Sequence, residues 1–412
     1  MKKVNLLLAA VVAASVSAPA LADYTPNATF FGYMRAGVGF DKDGKFNQFQ
    51  TKKLGRLGNE STTYGEIGIG TDVAKVDDTV WTVNSMLAVS ASQDTNSWVS
   101  LGNGDDNRQI ALEQFNVEVK GLLESDKDAK IWVGKRFVQR EDIHITDEYY
   151  YNISGNGFGI ENVSLGSGKF STAYTQNANN MHNFDVRYAF PLWDGANFQI
   201  GNVYSQEKKQ EAGAQQLNGN VLTLEFNQGF NGGWNKTVFQ WKTGSQAGMG
   251  ECSAWGGEDG NGYRLFNFGE TTLVGDLHMF HVVSYEYTKY DKPWHSDAED
   301  PNKKTKEWQA VIRPWYKLTK MTRVYAELGA WGKTTSEKNK EDFNERAQKI
   351  TLAYAITPDA GNFWSRPEIR FFGTWLHGDT RNNGEKYHNA VVNSYRGGSV
   401  DMQVGVQVEA WW

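Results

Sequence analysis

The chain has 412 residues with a formal net charge of −6 at pH 7, and 40% of its residues are hydrophobic. The negative charge argues against the broad basic surface that binds nucleic acid. The single cysteine, Cys252, excludes an internal disulfide and any thiolate metal site, and a loop thiol without a role is its simplest interpretation. Aromatic residues make up 13% of the chain, an excess that is typical of the aromatic girdles of membrane barrels.

The N-terminus has the three parts of a secretory signal peptide. Met1-Lys2-Lys3 is a positive start, residues 4–16 are apolar, and Ala20-Leu21-Ala22 is a cleavage motif. The apolar run is too short for a membrane anchor, and no other stretch approaches the roughly 18 apolar residues of a spanning helix. We therefore expect residues 1–22 to be removed and the mature, exported chain to begin at Asp23.

Segments in which apolar and polar residues alternate recur along the mature chain. In the first of them, Phe30, Met34 and Val38 share one parity, and Tyr33 and Arg35 share the other. Further segments of this kind are residues 63–70, 184–190, 222–226 and 323–330. Successive side chains of a strand point to opposite faces, so each segment predicts a strand with one apolar and one polar face. Because Arg or Lys facing lipid at the bilayer midplane costs about 2–4 kcal/mol, the charged face requires a watery lumen.

One segment lacks this alternation of apolar and polar residues. Residues 134–157 contain two arginines, a histidine, four carboxylates and three consecutive tyrosines. A solvated charge run is one interpretation. A loop folded into a pore, where charges and ring hydroxyls narrow the passage, is the other. Composition leaves both open.

Polar segments separate the predicted strands. The most prominent are residues 102–108, 206–216, 290–307, 334–346 and 377–389. Length alone suggests two or three soluble domains. Strand patterns resume after each polar segment, however, so we interpret these segments as loops of one domain over residues 23–412. At about ten residues each, 16–18 strands need roughly 160–180 residues and leave a little over 200 for loops, a proportion typical of a porin.

The last fourteen residues, 399–412, give the clearest strand. Val400, Met402 and Val404 begin an apolar parity that ends at Trp412, and Trp411 lies on the polar parity. A soluble sandwich could contain such a strand. Its length, its place at the chain end and its terminal aromatic residue favour the closing strand of an all-β, transmembrane antiparallel barrel.

Many short motifs, in order, resemble the maltoporin family of sugar-specific outer-membrane porins. They are Phe31-Gly-Tyr-Met-Arg-Ala-Gly37, Arg56-Leu-Gly-Asn-Glu60, Gly134-Lys-Arg-Phe137, Asp142-Ile-His144, Phe184-Asp-Val-Arg187, Ile312-Arg-Pro314, Trp364-Ser-Arg-Pro367 and the final Trp411-Trp412. The resemblance covers essentially the whole mature chain. It implies an eighteen-stranded barrel in the outer membrane of a Gram-negative cell, an inward-folded constriction loop, and a homotrimer of separate pores.

The resemblance also implies two sets of substrate-binding residues. The family's aromatic slide carries over to Tyr33, Tyr64, Trp98, Trp234, Trp364 and Trp411. Trp98 matches a loop tryptophan that the family donates to a neighbouring pore, and Trp234 replaces a family phenylalanine. The flanking polar track carries over to Arg35, Arg56, Glu66, Arg140, Asp142, His144, Asp147 and Tyr149. Strand parity independently predicts a lumen position for Tyr33, Tyr64, Trp411, Arg35 and Glu66.

The chain also departs from the family pattern. An arginine of the family's polar track is replaced by Glu113 in this chain, with Arg108 as a possible substitute. Several members have two cysteines that form a disulfide in the first loop. These positions correspond to the neighbourhood of Gln48 and to Ser61, so the disulfide is absent here. Several outer loops differ in length. These differences leave sucrose and β-glucosides open beside maltose and maltodextrins.

We therefore expect a channel for facilitated diffusion of maltose and maltodextrins, surrounded by outer-membrane lipid, with a general diffusion porin as the alternative. No motif combines a nucleophile, a base and its orienting group, so an enzyme is not predicted. Seven scattered histidines give no metal-ligand spacing, and we expect neither a metal nor another cofactor. The loops leave a phage-receptor role open.

Overall fold

The computed structural model describes residues 27–41, 44, 52–59, 63–91, 108–176, 181–207, 218–248, 259–292, 303–382, 385–387 and 400–412. The predicted signal peptide, Trp98 and Cys252 lie outside these residues, and so does the side chain of Arg108. Within them, no helix is long and apolar enough to cross a membrane.

The described chain is almost entirely β-structure. The first eleven strands are β1 (Ala28–Asp41), β2 (Thr63–Val76), β3 (Thr79–Ala91), β4 (Arg108–Lys120), β5 (Lys130–Arg136), β6 (Glu141–Ile143), β7 (Glu148–Tyr151), β8 (Gly155–Leu165), β9 (Gly168–Gln176), β10 (Met181–Trp193) and β11 (Ala196–Glu207). The others are β12 (Asn218–Phe230), β13 (Gly233–Gly244), β14 (Asp259–Val274), β15 (Leu277–Lys292), β16 (Lys304–Lys317), β17 (Thr322–Ser336), β18 (Phe343–Ile356), β19 (Glu368–Asn382), β20 (Glu385–Tyr387) and β21 (Val400–Trp411). A 3₁₀ turn spans Lys52–Leu54.

Eighteen of these strands close into one antiparallel barrel. Each pairs with its neighbours along the chain, and β5 pairs directly with β8 because the small hairpin β6–β7 lies between them in sequence. The last strand, β21, pairs with both β19 and β1, so the sheet has no open seam. The short strand β20 only extends β19. The predicted all-β barrel of about 18 strands is confirmed, and closure removes the exposed strand edges that favour aggregation.

The two faces of the barrel differ as the alternation predicts. In β17, Arg323, Tyr325 and Glu327 are buried inside, whereas Leu328 is 40% exposed on the outer face. β18 alternates without interruption from residue 346 to residue 356. In β21, Gln403, Gln407 and Glu409 are buried, and Met402, Val404 and Trp412 are exposed. An apolar outer face around a charged interior fits a bilayer and a watery lumen, so the soluble-sandwich alternative is wrong.

The strands extend further than the sequence pattern predicts. β17 ends at Ser336 and β18 begins at Phe343, so most of the predicted loop 334–346 is strand. Likewise β15 continues to Lys292, and β19 continues to Asn382. Alternation disappears where both faces of a strand meet water, although the backbone pairing continues there.

Three segments between strands fold into the barrel. We call residues 52–59 the first-loop segment, residues 137–154 the pore loop, and residues 357–367 the tryptophan segment. In the pore loop, Gln240 Nε2 of β13 donates to Tyr150 O at 2.7 Å, and Tyr151 Oη donates to Asp185 Oδ1 of β10 at 2.5 Å. Both tyrosines are fully buried. The charge run is therefore a loop folded into the pore, and its interpretation as a solvated surface is wrong.

Candidate functional site

The lumen contains a cavity of about 390 Å³. Its walls are formed by Tyr33, Arg35, Arg56, Tyr64, Glu66, Arg140, Asp142, His144, Asp147, Tyr149, Trp364 and Trp411. All twelve belong to the fourteen predicted substrate-binding residues. Of the other two, Trp98 lies outside the described residues, and Trp234 lies beyond this cavity.

Three strands and three inward segments meet at this cavity. Strands β1, β2 and β21 supply residues of one wall, and their inward parity fixes which side chains enter the lumen. The pore loop supplies five residues, the first-loop segment supplies Arg56, and the tryptophan segment supplies Trp364. The backbone of the first-loop segment is joined to the pore loop, because Arg56 N donates to Ile145 O at 2.8 Å. The site therefore exists only where the closed wall and these inward segments come together.

The aromatic side chains of the site follow one another along the wall. Tyr64 and Tyr33 have ring centroids 5.9 Å apart, and Tyr33 is paired with Trp411 across β1 and β21. Trp411 and Trp364 lie 6.3 Å apart. The row continues through Phe280, which lies 6.2 Å from Trp364 and 5.7 Å from Trp234. The sequence did not single out Phe280. Phe280 is only 1% exposed and supports its neighbours, so we call the other five rings the aromatic row.

Charged groups lie beside the first rings of this row. Tyr64 Oη donates to Glu66 Oε1 at 2.5 Å, and Arg140 Nη2 lies 3.9 Å from the same oxygen. The Arg35 guanidinium lies 5.3 Å from the centre of the Tyr64 ring and pairs with Asp147 at 3.6 Å. These contacts hold cations and carboxylates close to the rings, and such groups form charge-assisted hydrogen bonds with hydroxyl groups.

Glu409 is the main polar residue that sequence reasoning missed. Its buried carboxylate accepts from Tyr33 Oη at 2.9 Å and lies 3.1 Å from Arg56 Nη2. It also binds Arg366 at 2.8 Å and Arg370 at 2.5 Å. The Arg366 guanidinium in turn lies 4.0 Å from the centre of the Trp411 ring. Parity in β21 places Glu409 in the lumen beside Trp411, and that signal was available from the sequence.

His144 belongs to the aromatic part of the site. Its ring centre lies 5.2 Å from that of Trp364 and 5.8 Å from that of Trp411. Burial lowers the pKa of His144 well below its usual value, against the opposing charge of Glu409. The imidazole is therefore neutral at pH 7 and contributes a ring face or a hydrogen bond, not a charge.

Asp142 in the pore loop has the opposite kind of shift. Burial, together with the charge of Asp147, raises the pKa of Asp142 to about 6, although Arg56 and Arg140 oppose the rise. Its charge therefore changes close to neutral pH.

Among the departures from the family pattern, Glu113 lies within the described residues. Glu113 is half-buried at a register shift between β3 and β4 and does not line the cavity walls. No group of three or more His, Cys, Asp or Glu within the described part of the chain could hold a metal ion.

A closed barrel with an apolar outer face, a charged lumen and an inward-folded loop defines a porin of the outer membrane. The sequence pattern of the LamB porins matches residues 28–412, and the chain belongs to this family. The chain is 35% identical to Maltoporin 1 of Klebsiella pneumoniae, over 98% of its length and 97% of that protein. It is 34% identical to a Maltoporin 2 of Yersinia pestis, over 98% of both.

A solved structure shares the fold at low sequence identity. A variant of OccD1 (OprD) superposes with a TM-score of 0.51 at 8% identity, covering 97% of this chain and 98% of that one. This likeness concerns the fold alone.

Proposed function

We propose that this porin passes maltose and maltodextrins through the outer membrane by facilitated diffusion, along the aromatic row and the charged groups beside it. The observation that supports this most is the cavity, where twelve predicted side chains from three strands and three inward segments line one space. The relatives named maltoporin, at 34–35% identity over nearly the whole chain, support the same substrate class.

The chemistry of the site suits a sugar chain. A pyranose has an apolar C–H face and a rim of hydroxyl groups. The face packs on an aromatic ring, and the rim forms charge-assisted hydrogen bonds with side chains such as Arg35 and Glu66. A succession of weak, similar contacts lets the sugar enter and also leave, so the gradient drives transport without a cofactor.

Further features of the proposed function concern the whole protein. We infer that residues 23–412 act as one barrel domain after removal of the signal peptide, and that three copies assemble as a trimer. In this trimer Trp98 serves the pore of a neighbouring copy. The chain is a conduit and catalyses no reaction. Its outer loops are the surface that a phage would contact.

Sugar-dependent block of ion current in planar bilayers tests the proposal. Maltodextrin should reduce the wild-type current in a saturable way, and Trp364→Ala or Tyr64→Ala should weaken its affinity about three- to tenfold for each lost ring contact. Trp193→Ala is the matched control, because Trp193 is 59% exposed on the outer face.

The same assay separates the alternatives. A current that no sugar affects would contradict the proposal and favour a general diffusion porin. Comparing maltodextrins with sucrose and cellobiose at equal concentration ranks the substrates, and a stronger block by sucrose or cellobiose would reassign the preference.

A further inference from the structure

Three lysines lie side by side on the outer face of the barrel, at one end of β15 and β16. Lys304 and Lys306 have the outward parity of Trp308, and all three of these side chains are exposed. Lys289 in β15 is paired directly with Lys304, so its side chain is on the same face. We call Lys289, Lys304 and Lys306 the basic patch. Like charges directly opposite each other destabilise a strand pair, and a bound anion would remove this repulsion.

The basic patch lies at the extracellular end of the barrel. Residues 293–303 connect β15 to β16 at this end, whereas residues 318–321 suffice to connect β16 to β17 at the other. Barrels of the outer membrane have long extracellular loops and short periplasmic turns, which gives the direction of the strands. The lysines therefore face the outer leaflet.

Two lysines of the basic patch differ in their partners from the cations inside the barrel. Inside, Lys242 pairs with Glu286 at 2.9 Å. The side chains of Lys304 and Lys306 form no hydrogen bond or ion pair with any residue that the structure describes. The outward positions of β16 and β17 contain no Asp or Glu, and Glu337, just after β17, is in an ion pair of its own. The protein thus leaves two positive charges on this face without a counter-ion from β16 or β17.

Aromatic side chains lie beside and below the basic patch on the same face. Tyr287 is paired directly with Lys306, and Tyr285 is paired directly with Trp308. The ring centre of Tyr263 lies 5.4 Å from that of Tyr287 and 6.2 Å from that of Tyr285. Tyr and Trp on the lipid-facing surface concentrate at the level of the lipid headgroups. The lysines are therefore at the depth where the phosphates of the outer leaflet lie.

We propose that the basic patch binds the phosphate groups of an anionic glycolipid in the outer leaflet. The ammonium groups of Lys304 and Lys306 donate charge-assisted hydrogen bonds to phosphate oxygens, and a phosphate beside Lys304 also separates it from the charge of Lys289. The acyl chains of the same lipid pack on the apolar outer face below Trp308. This site lies outside the lumen, so it is independent of the proposed sugar transport.

Equilibrium binding of lipopolysaccharide to the purified full-length channel in detergent, measured by isothermal titration calorimetry, tests this site. One lysine beside anionic lipid contributes about fivefold in affinity, so the double variant Lys304→Ala/Lys306→Ala should bind about 25-fold more weakly than the wild type. Lys304→Arg/Lys306→Arg keeps both charges and should bind within about twofold of the wild type. Lys75→Ala/Lys320→Ala is the matched control, because both lysines are exposed at the short-turn end of the barrel.

Lipopolysaccharide from which the phosphates have been removed identifies the group that is bound. It should bind equally to the wild type and to the Lys304→Ala/Lys306→Ala variant. Wild-type affinity of this variant for the intact lipid would overturn the site. So would a loss that persists without the phosphates, or an equal loss in the Lys75→Ala/Lys320→Ala control. A folded band of wild-type melting temperature on a semi-native gel checks that each variant keeps the barrel intact.

Discussion

Asp142 and His144 are two residues apart in the pore loop, yet their environments affect their charge states differently. Burial dominates both pKa shifts. It favours the neutral form of each group, so it raises the pKa of the carboxyl and lowers that of the imidazole. Since the pKa of Asp142 is about 6, the carboxyl is protonated below that pH and negative above it. The lowered pKa of His144 leaves its imidazole neutral at pH 7.

The ion selectivity of the pore should therefore depend on pH. As pH rises through about 6, the Asp142 charge appears and the preference for cations over anions should increase. Reversal potentials in a KCl gradient, between about pH 4.5 and 7.5, measure this preference.

Two variants test whether the Asp142 carboxyl causes this pH dependence of ion selectivity. Asp142→Asn should remove the step near pH 6. Asp147→Asn should move the step to lower pH, because the Asp147 charge helps to raise the Asp142 pKa. A step that persists unchanged in Asp142→Asn would assign it to another group.

The pore loop is an element that depends on the strands it packs against. Tyr150 Oη donates to Glu225 Oε2 at 3.1 Å and accepts from Lys236 Nζ at 3.1 Å. Removing a buried hydrogen-bonding group costs about 1–3 kcal/mol, because its partners are left without it. The position of the pore loop should thus be sensitive to this one hydroxyl.

Tyr150→Phe should loosen the pore loop without unfolding the barrel. We expect larger fluctuations of the open-channel current and weaker sugar block than in the wild type, both measured in planar bilayers. Tyr188→Phe is the control, because the Tyr188 hydroxyl donates to Leu165 O on an exposed part of the wall. Equal current noise in both variants would show that the hydroxyl of Tyr150 does not hold the loop.

The elements differ in how far the sequence predicts them. Strands that meet lipid on one face, such as β1 and β21, were predicted with the correct parity because the bilayer imposes alternation. The inward fold of the first-loop segment was not predicted. Its anchors are distant in sequence, as when Lys349 Nζ donates to Leu57 O at 2.8 Å across nearly 300 residues. The contacts that Glu409 makes with its partners were missed for the same reason, since a single-strand pattern contains no information about contacts between remote segments.

At the scale of the whole molecule, charged side chains of the lumen wall hold both the first-loop segment and the tryptophan segment in place. Leu57 N of the first-loop segment donates to Glu327 Oε1 at 3.0 Å. Arg323, which pairs with Glu368, donates to Asn362 O of the tryptophan segment at 2.6 Å. Breaking a buried ion pair by removing one partner costs about 3–5 kcal/mol. These contacts join the first-loop segment, near the N-terminal end of the barrel, to strands near its C-terminal end, so the site forms only when the barrel closes.

Closure is completed by the last residue. Gly32 N donates to Trp412 O at 3.1 Å, and Trp412 N donates to Gly32 O at 3.2 Å. The Trp412 ring lies over Gly32 on the outer face, where a Cβ on Gly32 would come within 2.3 Å of the ring and 2.6 Å of Glu66 O. A larger side chain at this position would thus displace both the terminal tryptophan and the backbone of β2.

Gly32→Ala should therefore weaken the closed barrel, by about 1–3 kcal/mol for an overpacked position. The temperature at which the folded band disappears on a semi-native gel measures the effect, and it should fall relative to the wild type. Gly373→Ala is the matched control on the β19–β21 pair, because a Cβ there would meet only Val404 Cγ1, at 3.8 Å. If both variants melt together, packing of Trp412 on Gly32 does not determine closure, and the backbone pairing of β1 with β21 alone holds the barrel shut.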